Sequence, residues 1–274
     1  MPELPAALRA YVIHHLGTPL RTHSLPATTA YVWRIELDHR EPIILKQHAR
    51  GRGFTQERTA LQQVAPLADR VPQLLAADEA LRAIAITTLP GEDAITSPPT
   101  PALFHAAGTL RAAFDRLAIT EDDPIPLADA IAARRDRWLA RATRWLDATT
   151  ITRAHTAIDP TAFTHRTRRF CHRDFGPHNW RRDPTRPAWL GCLDFGHTRP
   201  DDPLVDLVRA TAPPHDDPTL VAAFLAGWGI ASDAAAETAL RWLHAIATAT
   251  WGREHNDPVF TALGDAALAG CNDR

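Results

Sequence analysis

The residues able to do chemistry gather on either side of one short segment. Cys171-His172-Arg173-Asp174-Phe175-Gly176-Pro177-His178-Asn179 precedes it, and Leu193-Asp194-Phe195-Gly196-His197 follows it. Between them, 179–181 and 188–193 read as two strands flanking the turn 183–187. A hairpin brings its ends together, so Asn179 and Asp194 are expected side by side. An amide oxygen and a carboxylate are hard ligands that suit Mg2+ shared with substrate phosphates. Asp174, on the preceding loop, is near that pair yet separate, a place for a base that orients an attacking hydroxyl. Phosphoryl transfer asks a protein chiefly to position groups and stabilise charge, so few residues suffice.

A second signal is compositional. Of 30 basic residues, 29 are Arg and one is Lys46. A bias that replaces Lys by Arg wherever a positive charge is enough marks Lys46 as a candidate site for a compact ammonium.

The elements that must position these residues divide the chain in two. Segments 31–37 and 42–47 read as a hairpin around the turn 38–42, with Lys46 on its second strand. A helix follows over 54–67, with Glu57 near its start. Segments 71–75 and 82–87 read as two further strands, and Leu89-Pro90-Gly91 breaks the pattern. Beyond it, 101–117, 127–149, 218–228 and 232–250 show helical spacing. Asp233 sits where a carboxylate suits a helix start. Trp138 and Trp145, seven apart, are expected to pack in the core. This predicts an N-lobe over 1–91 and a C-lobe over 92–274.

His172-Arg173-Asp174 with Asn179 five residues on, followed by Asp194-Phe195-Gly196, resembles the catalytic and metal loops of the protein-kinase-like superfamily. The continuation, 197–207, with Asp202-Pro203 and Asp206-Leu207, is similar to the aminoglycoside phosphotransferase and choline kinase branch. No long activation segment closing in Ala-Pro-Glu is present. The resemblance covers most of residues 24 to 207. It departs at Arg173, where the branch usually has Gly, at Gly176, where it often has His, and in 24–30, a phosphate-covering loop without Gly.

The resemblance implies an α+β, bilobal protein-kinase-like fold, with a small antiparallel-sheet N-lobe and a larger, mainly helical C-lobe. It implies ATP, or alternatively GTP, with Mg2+ as cofactors. Asp174 would be the catalytic base, and Asn179 and Asp194 the metal ligands. Lys46 and Glu57 would handle the phosphates, Thr28 and Thr29 would cover them, and Thr87 and Leu89 would meet the adenine. The acceptor would be a hydroxyl of a small molecule, an aminoglycoside or other antibiotic in resistance or biosynthesis. Alternatives are a choline, sugar or amino-acid kinase, or a nucleotide-binding pseudokinase.

Composition limits the rest. A net charge of −2 and a pI of about 6.7 disfavour a nucleic-acid partner. No apolar run is long enough to span a membrane, and the start lacks a signal peptide's pattern. Three cysteines without ligand spacing suit a reducing cytoplasm. Residues 201–274 hold 11 acids and 4 bases. That excess predicts a cationic acceptor, with Asp201, Asp202, Asp216, Asp217, Glu254 and Asp257 as candidates to line its pocket.

Overall fold

The structure is a computed structural model and describes residues 3–26, 30–119 and 124–272. In chain order its elements are α1 (Ala6–His15), β1 (Pro19–Leu25), β2 (Ala30–Leu37), β3 (Ile43–His48), α2 (Gly51–Val64), β4 (Leu74–Asp78), β5 (Ala83–Thr87), β6 (Glu92–Asp93), α3 (Pro101–Phe114), α4 (Leu127–Ala142), α5 (Ala148–Ala157), β7 (Arg169–Cys171), β8 (Trp180–Arg182), β9 (Leu190–Cys192), β10 (Arg199–Asp201), α6 (Leu204–Ala210), α7 (Pro218–Trp228), α8 (Ala234–Glu254) and α9 (Pro258–Asn272).

Two compact units emerge. One comprises 1–96 and 178–199, the other 97–177 and 200–274. The sequence reading put one boundary near Gly91. In the structure the hairpin β8–β9 joins the first unit because β6 pairs with β8, Glu92 opposite Arg182 and Asp93 opposite Arg181.

The first unit is built on an antiparallel sheet in the order β1-β2-β3-β5-β4. Side chains alternate across a strand. Trp33, Ile35, Leu37, Ile43, Leu45, Ala83 and Ala85 therefore share one face, which Leu8, Tyr11 and Val12 of α1 cover. The intervening β3 positions, Lys46 among them, face α2. That helix buries Phe54, Glu57, Ala60, Leu61 and Val64, the three-and-four spacing of one helical face. The β8–β9 hairpin is tied to the loop after α2 by Cys192 N–H to the Arg70 carbonyl at 2.8 Å. Trp189 Nε1 donates to the Asp69 carbonyl at 3.1 Å. Gly91 has φ 94°, and a Cβ there would lie 2.5 Å from the Arg182 carbonyl oxygen, so this break needs glycine.

The second unit is helical around Phe104, Phe114, Phe163, Phe170, Phe175 and Phe224, all buried. Helices α3 and α7 approach through Gly108 and Gly227. A Cβ on either would lie 2.0 Å from a carbonyl oxygen of the other helix, Phe224 or His105 respectively.

Several elements differ from the sequence reading. β4 starts three residues later than expected, past Pro72, which has no N–H for a ladder. The helix expected over 127–149 ends at Ala142. Asp147 then caps α5 by accepting from Thr150 N–H. Trp145 thereby leaves the helix and is 44% exposed, which corrects its expected core role. α1, β1, α5, α6 and α9 were not anticipated. No disulfide forms among Cys171, Cys192 and Cys271. Among the described residues no helix is long and apolar enough to cross a membrane.

Candidate active site

In the first unit three elements converge on one ammonium. Lys46, on β3, donates to Glu57 Oε1 at 2.6 Å and to Asp194 Oδ1 at 3.0 Å. The Lys46 side chain is 12% exposed and that of Glu57 2%. Glu57 lies on the second turn of α2, the helix laid over the even-numbered positions of β3. Asp194 lies two residues past the end of β9 and has φ 60°, a left-handed conformation that costs a non-glycine residue energy and recurs at functional sites. Gln56 on α2 steadies this loop by donating Nε2 to the Thr198 carbonyl at 2.7 Å.

Asn179 sits one step before β8. The register pairs Trp180 with Cys192, and Leu193 N–H donates to the Asn179 carbonyl at 2.8 Å. Asn179 therefore stands opposite Leu193, one residue before Asp194, at the open end of the hairpin.

The charges reinforce one another. Burial acts to lower the Lys46 ammonium, but the Glu57 and Asp194 carboxylates more than offset it and hold it above its ordinary value. Burial acts to raise the Glu57 carboxyl. The ammonium of Lys46 and the ring of His48 outweigh it and keep Glu57 below the usual carboxylate range.

Thr87 ends β5 with its N–H donated to the Gln73 carbonyl at 3.0 Å and its hydroxyl accepting from Gln73 N–H at 2.9 Å. These two groups anchor the end of β5 to the residue before β4. Leu89 packs its side chain against the β9 backbone at Gly191. Thr28 and Thr29 lie outside the described residues.

In the second unit Asp174 lies on the loop after β7. Its N–H donates to His172 Nδ1 at 3.3 Å. Asp206 holds the same loop from below, accepting from His172 N–H at 3.1 Å and Arg173 N–H at 2.7 Å. Asp206 is fully buried, and Arg111 Nη1 lies 3.4 Å from it. Arg111, also fully buried, donates to the Phe170 carbonyl at 2.9 Å. Arg173 has φ 66°, and its Nε lies 2.9 Å from Asp201 Oδ2. The usual glycine of the branch would adopt this backbone freely.

Sequence reasoning missed Arg111 and His48. Arg111 had a readable signal: it stands in the apolar stripe Phe104, Ala107, Arg111, Phe114, where a charge has to find a buried partner.

The residues suit a hard divalent ion held jointly with phosphates. Among the described residues no group of three His, Cys, Asp or Glu forms a metal site by itself. One carboxylate and one amide oxygen are what remains when the nucleotide supplies the other ligands.

A profile of the phosphotransferase enzyme family matches residues 25–243. No curated protein sequence matches the chain. Among solved structures, the GDP and kanamycin complex of APH(2")-IIia superposes with a TM-score of 0.75 at 13% identity, covering 98% of this chain and 99% of that one. Macrolide 2'-phosphotransferase type I gives 0.71 at 15% identity, covering 98% and 99%. A choline/ethanolamine kinase family protein from Mesorhizobium loti gives 0.67 at 17% identity, covering 97% and 93%.

Proposed function

Because the chain belongs to the phosphotransferase enzyme family and is a small-molecule kinase, we propose that it moves the γ-phosphate of ATP onto a hydroxyl of an antibiotic-class acceptor. The observation that carries this is Lys46 bridging Glu57 and Asp194, with Asn179 opposite Leu193, one residue before Asp194. In this reading Lys46 holds nucleotide phosphate oxygens while Glu57 fixes its direction. Asn179 and Asp194 hold Mg2+, which neutralises phosphate charge when bound. Asp174 accepts the proton of the acceptor hydroxyl and orients its oxygen, on a loop whose backbone Asp206 and Arg111 hold still. Leu89, beside the β9 backbone, flanks the adenine.

The acceptor class rests on likeness to structures whose own ligands are antibiotics, such as kanamycin. Purified protein with ATP and Mg2+ should form ADP faster in the presence of some member of a panel of aminoglycosides, macrolides, choline and sugars. Mass spectrometry should find a phosphorylated product. Asp174→Asn should lower kcat by about 10² to 10⁴ while ATP affinity stays near normal. A panel without any turnover, or an Asp174→Asn enzyme with wild-type single-turnover rate, would sink this reading.

A further inference from the structure

Glu57 is 1% exposed, and an ionised carboxylate this buried needs partners on both oxygens. Oε1 has Lys46. Oε2 lies 3.1 Å from Nε2 of His48, an ion-pair distance at which the ring N–H is not aligned for a hydrogen bond. His48 is itself buried, at 7% exposure. Its position follows from strand geometry: Lys46 and His48 are two apart on β3, so both side chains leave the sheet toward α2.

Three features hold the ring in place. His48 N–H donates to the Arg82 carbonyl at 2.9 Å, which pins the backbone. Phe54, three residues before Glu57 on α2, meets the ring edge-on at 6.3 Å between centroids. A Cβ at Gly53 would come within 3.3 Å of His48 Nδ1, so the helix keeps a glycine where the ring needs room.

We infer that His48 is a positioning residue for nucleotide binding: its Nε2 stands 3.1 Å from the second oxygen of Glu57, and a small turn of the ring brings its N–H onto that oxygen, so that Glu57 keeps its direction when Lys46 turns to phosphate. This rests on the reading of Lys46 and Glu57 as phosphate-handling residues. The need for a second holder comes from the geometry. Lys46 is shared between Glu57 and Asp194. When it reaches for phosphates, its hold on Glu57 weakens, and Asp194, a like charge, opposes Glu57. A ring donor at Oε2 compensates without competing for the phosphates.

The test is nucleotide affinity, measured by titration with a fluorescent ATP analogue, alongside Tm. His48→Leu keeps bulk and removes the donor. It should weaken binding about tenfold, the effect of one charge-assisted hydrogen bond. His48→Gln, which keeps an N–H donor, should stay within about threefold of wild type. In a Glu57→Gln background, His48→Leu should add little, because the two act through one contact. If His48→Leu lowers Tm but leaves affinity unchanged, the residue only packs and the inference fails. It also fails if His48→Gln loses as much as His48→Leu, or if the two losses add in full. Should His48→Leu not fold, the His48→Gln and Glu57→Gln comparison decides alone: a loss above tenfold for His48→Gln overturns the role. Wild-type protein that binds no ATP overturns the reading of the site itself, a result distinct from these.

Discussion

At the scale of the residue, Lys46 explains its own rarity. Its Nζ stands between two carboxylates at 2.6 and 3.0 Å, on a side chain only 12% exposed. A planar guanidinium is wider and presents its donors in a fork, so it cannot meet both oxygens from the same stem. Lys46→Arg is therefore expected to lower kcat/KM for ATP by about tenfold or more, although every other basic position in the chain is Arg. The pH dependence follows from the shifts. Raised, the Lys46 ammonium contributes stability that is complete below about 10.5 and is lost as pH rises through its folded value. Lowered, the Glu57 carboxylate contributes above about 4.5 and is lost as pH falls through its folded value. The pair thus keeps both charges across the neutral range, and the Lys46→Arg deficit should be the same at about pH 6 and about pH 9. A wild-type profile for Lys46→Arg, or a deficit that changes several-fold over that range, contradicts this account.

At the scale of the element, the crossing of α3 and α7 decides whether the loop of Asp174 is well held. α3 carries Arg111, Arg111 faces Asp206, and Asp206 holds the N–H groups of His172 and Arg173. The crossing is glycine-dependent, since a methyl at Gly227 would lie 2.0 Å from the His105 carbonyl oxygen. Gly227→Ala must push the helices apart, and overpacking of this kind costs about 1–3 kcal/mol. Gly51→Ala is the matched control: its methyl meets nothing within 4 Å. It should change stability by less than about 0.5 kcal/mol. Denaturant midpoints of the two variants measure the difference, and equal midpoints would show that the crossing tolerates a side chain.

At the scale of the whole molecule, the uneven charge along the chain resolves within the second unit. Residues 94–200 hold 16 bases and 11 acids, and 201–274 hold 4 bases and 11 acids. Folding matches the two excesses. Asp201 pairs with Arg134 and Arg173, Asp202 with Arg166, and Glu254 with Arg141. Asp217 and Asp257 accept from the first N–H groups of α7 and α9. Of the six acids expected to draw a cationic acceptor, only Asp216 stands outside these pairs and caps, lining a recess of about 20 Å³ with Arg241 and His244. Long-range steering needs a field of one sign. Once an acceptor is identified, its kcat/KM is therefore expected to change less than about threefold between low and physiological salt. A steep fall with salt would restore the acidic pocket.

Local rules made much of this protein legible in advance. The residues of 172–179 and 194–196 carry their spacing in the chain, because a hairpin joins them within some twenty positions. Lys46 was legible because composition isolated it, and Glu57 because it falls near the start expected for the next helix, although that helix begins earlier, at Gly51. The strands β2, β3 and β5 were equally plain as short apolar runs bounded by turns. Edge and surface elements were not: β1 is an edge strand with no continuous apolar face, and α9 begins beyond the last strong periodic signal. The break at Ala142 depended on the Asp147 cap. What only the tertiary structure decided are the partners of buried charge. Arg111 with Asp206 is separated by 95 positions, and Lys46 with Asp194 by 148. His48 with Glu57 required two elements to be laid against each other. A sequence displays which groups carry charge and how each element alternates. Which opposite charge a buried group meets is set by packing between distant elements, and no local pattern encodes that meeting.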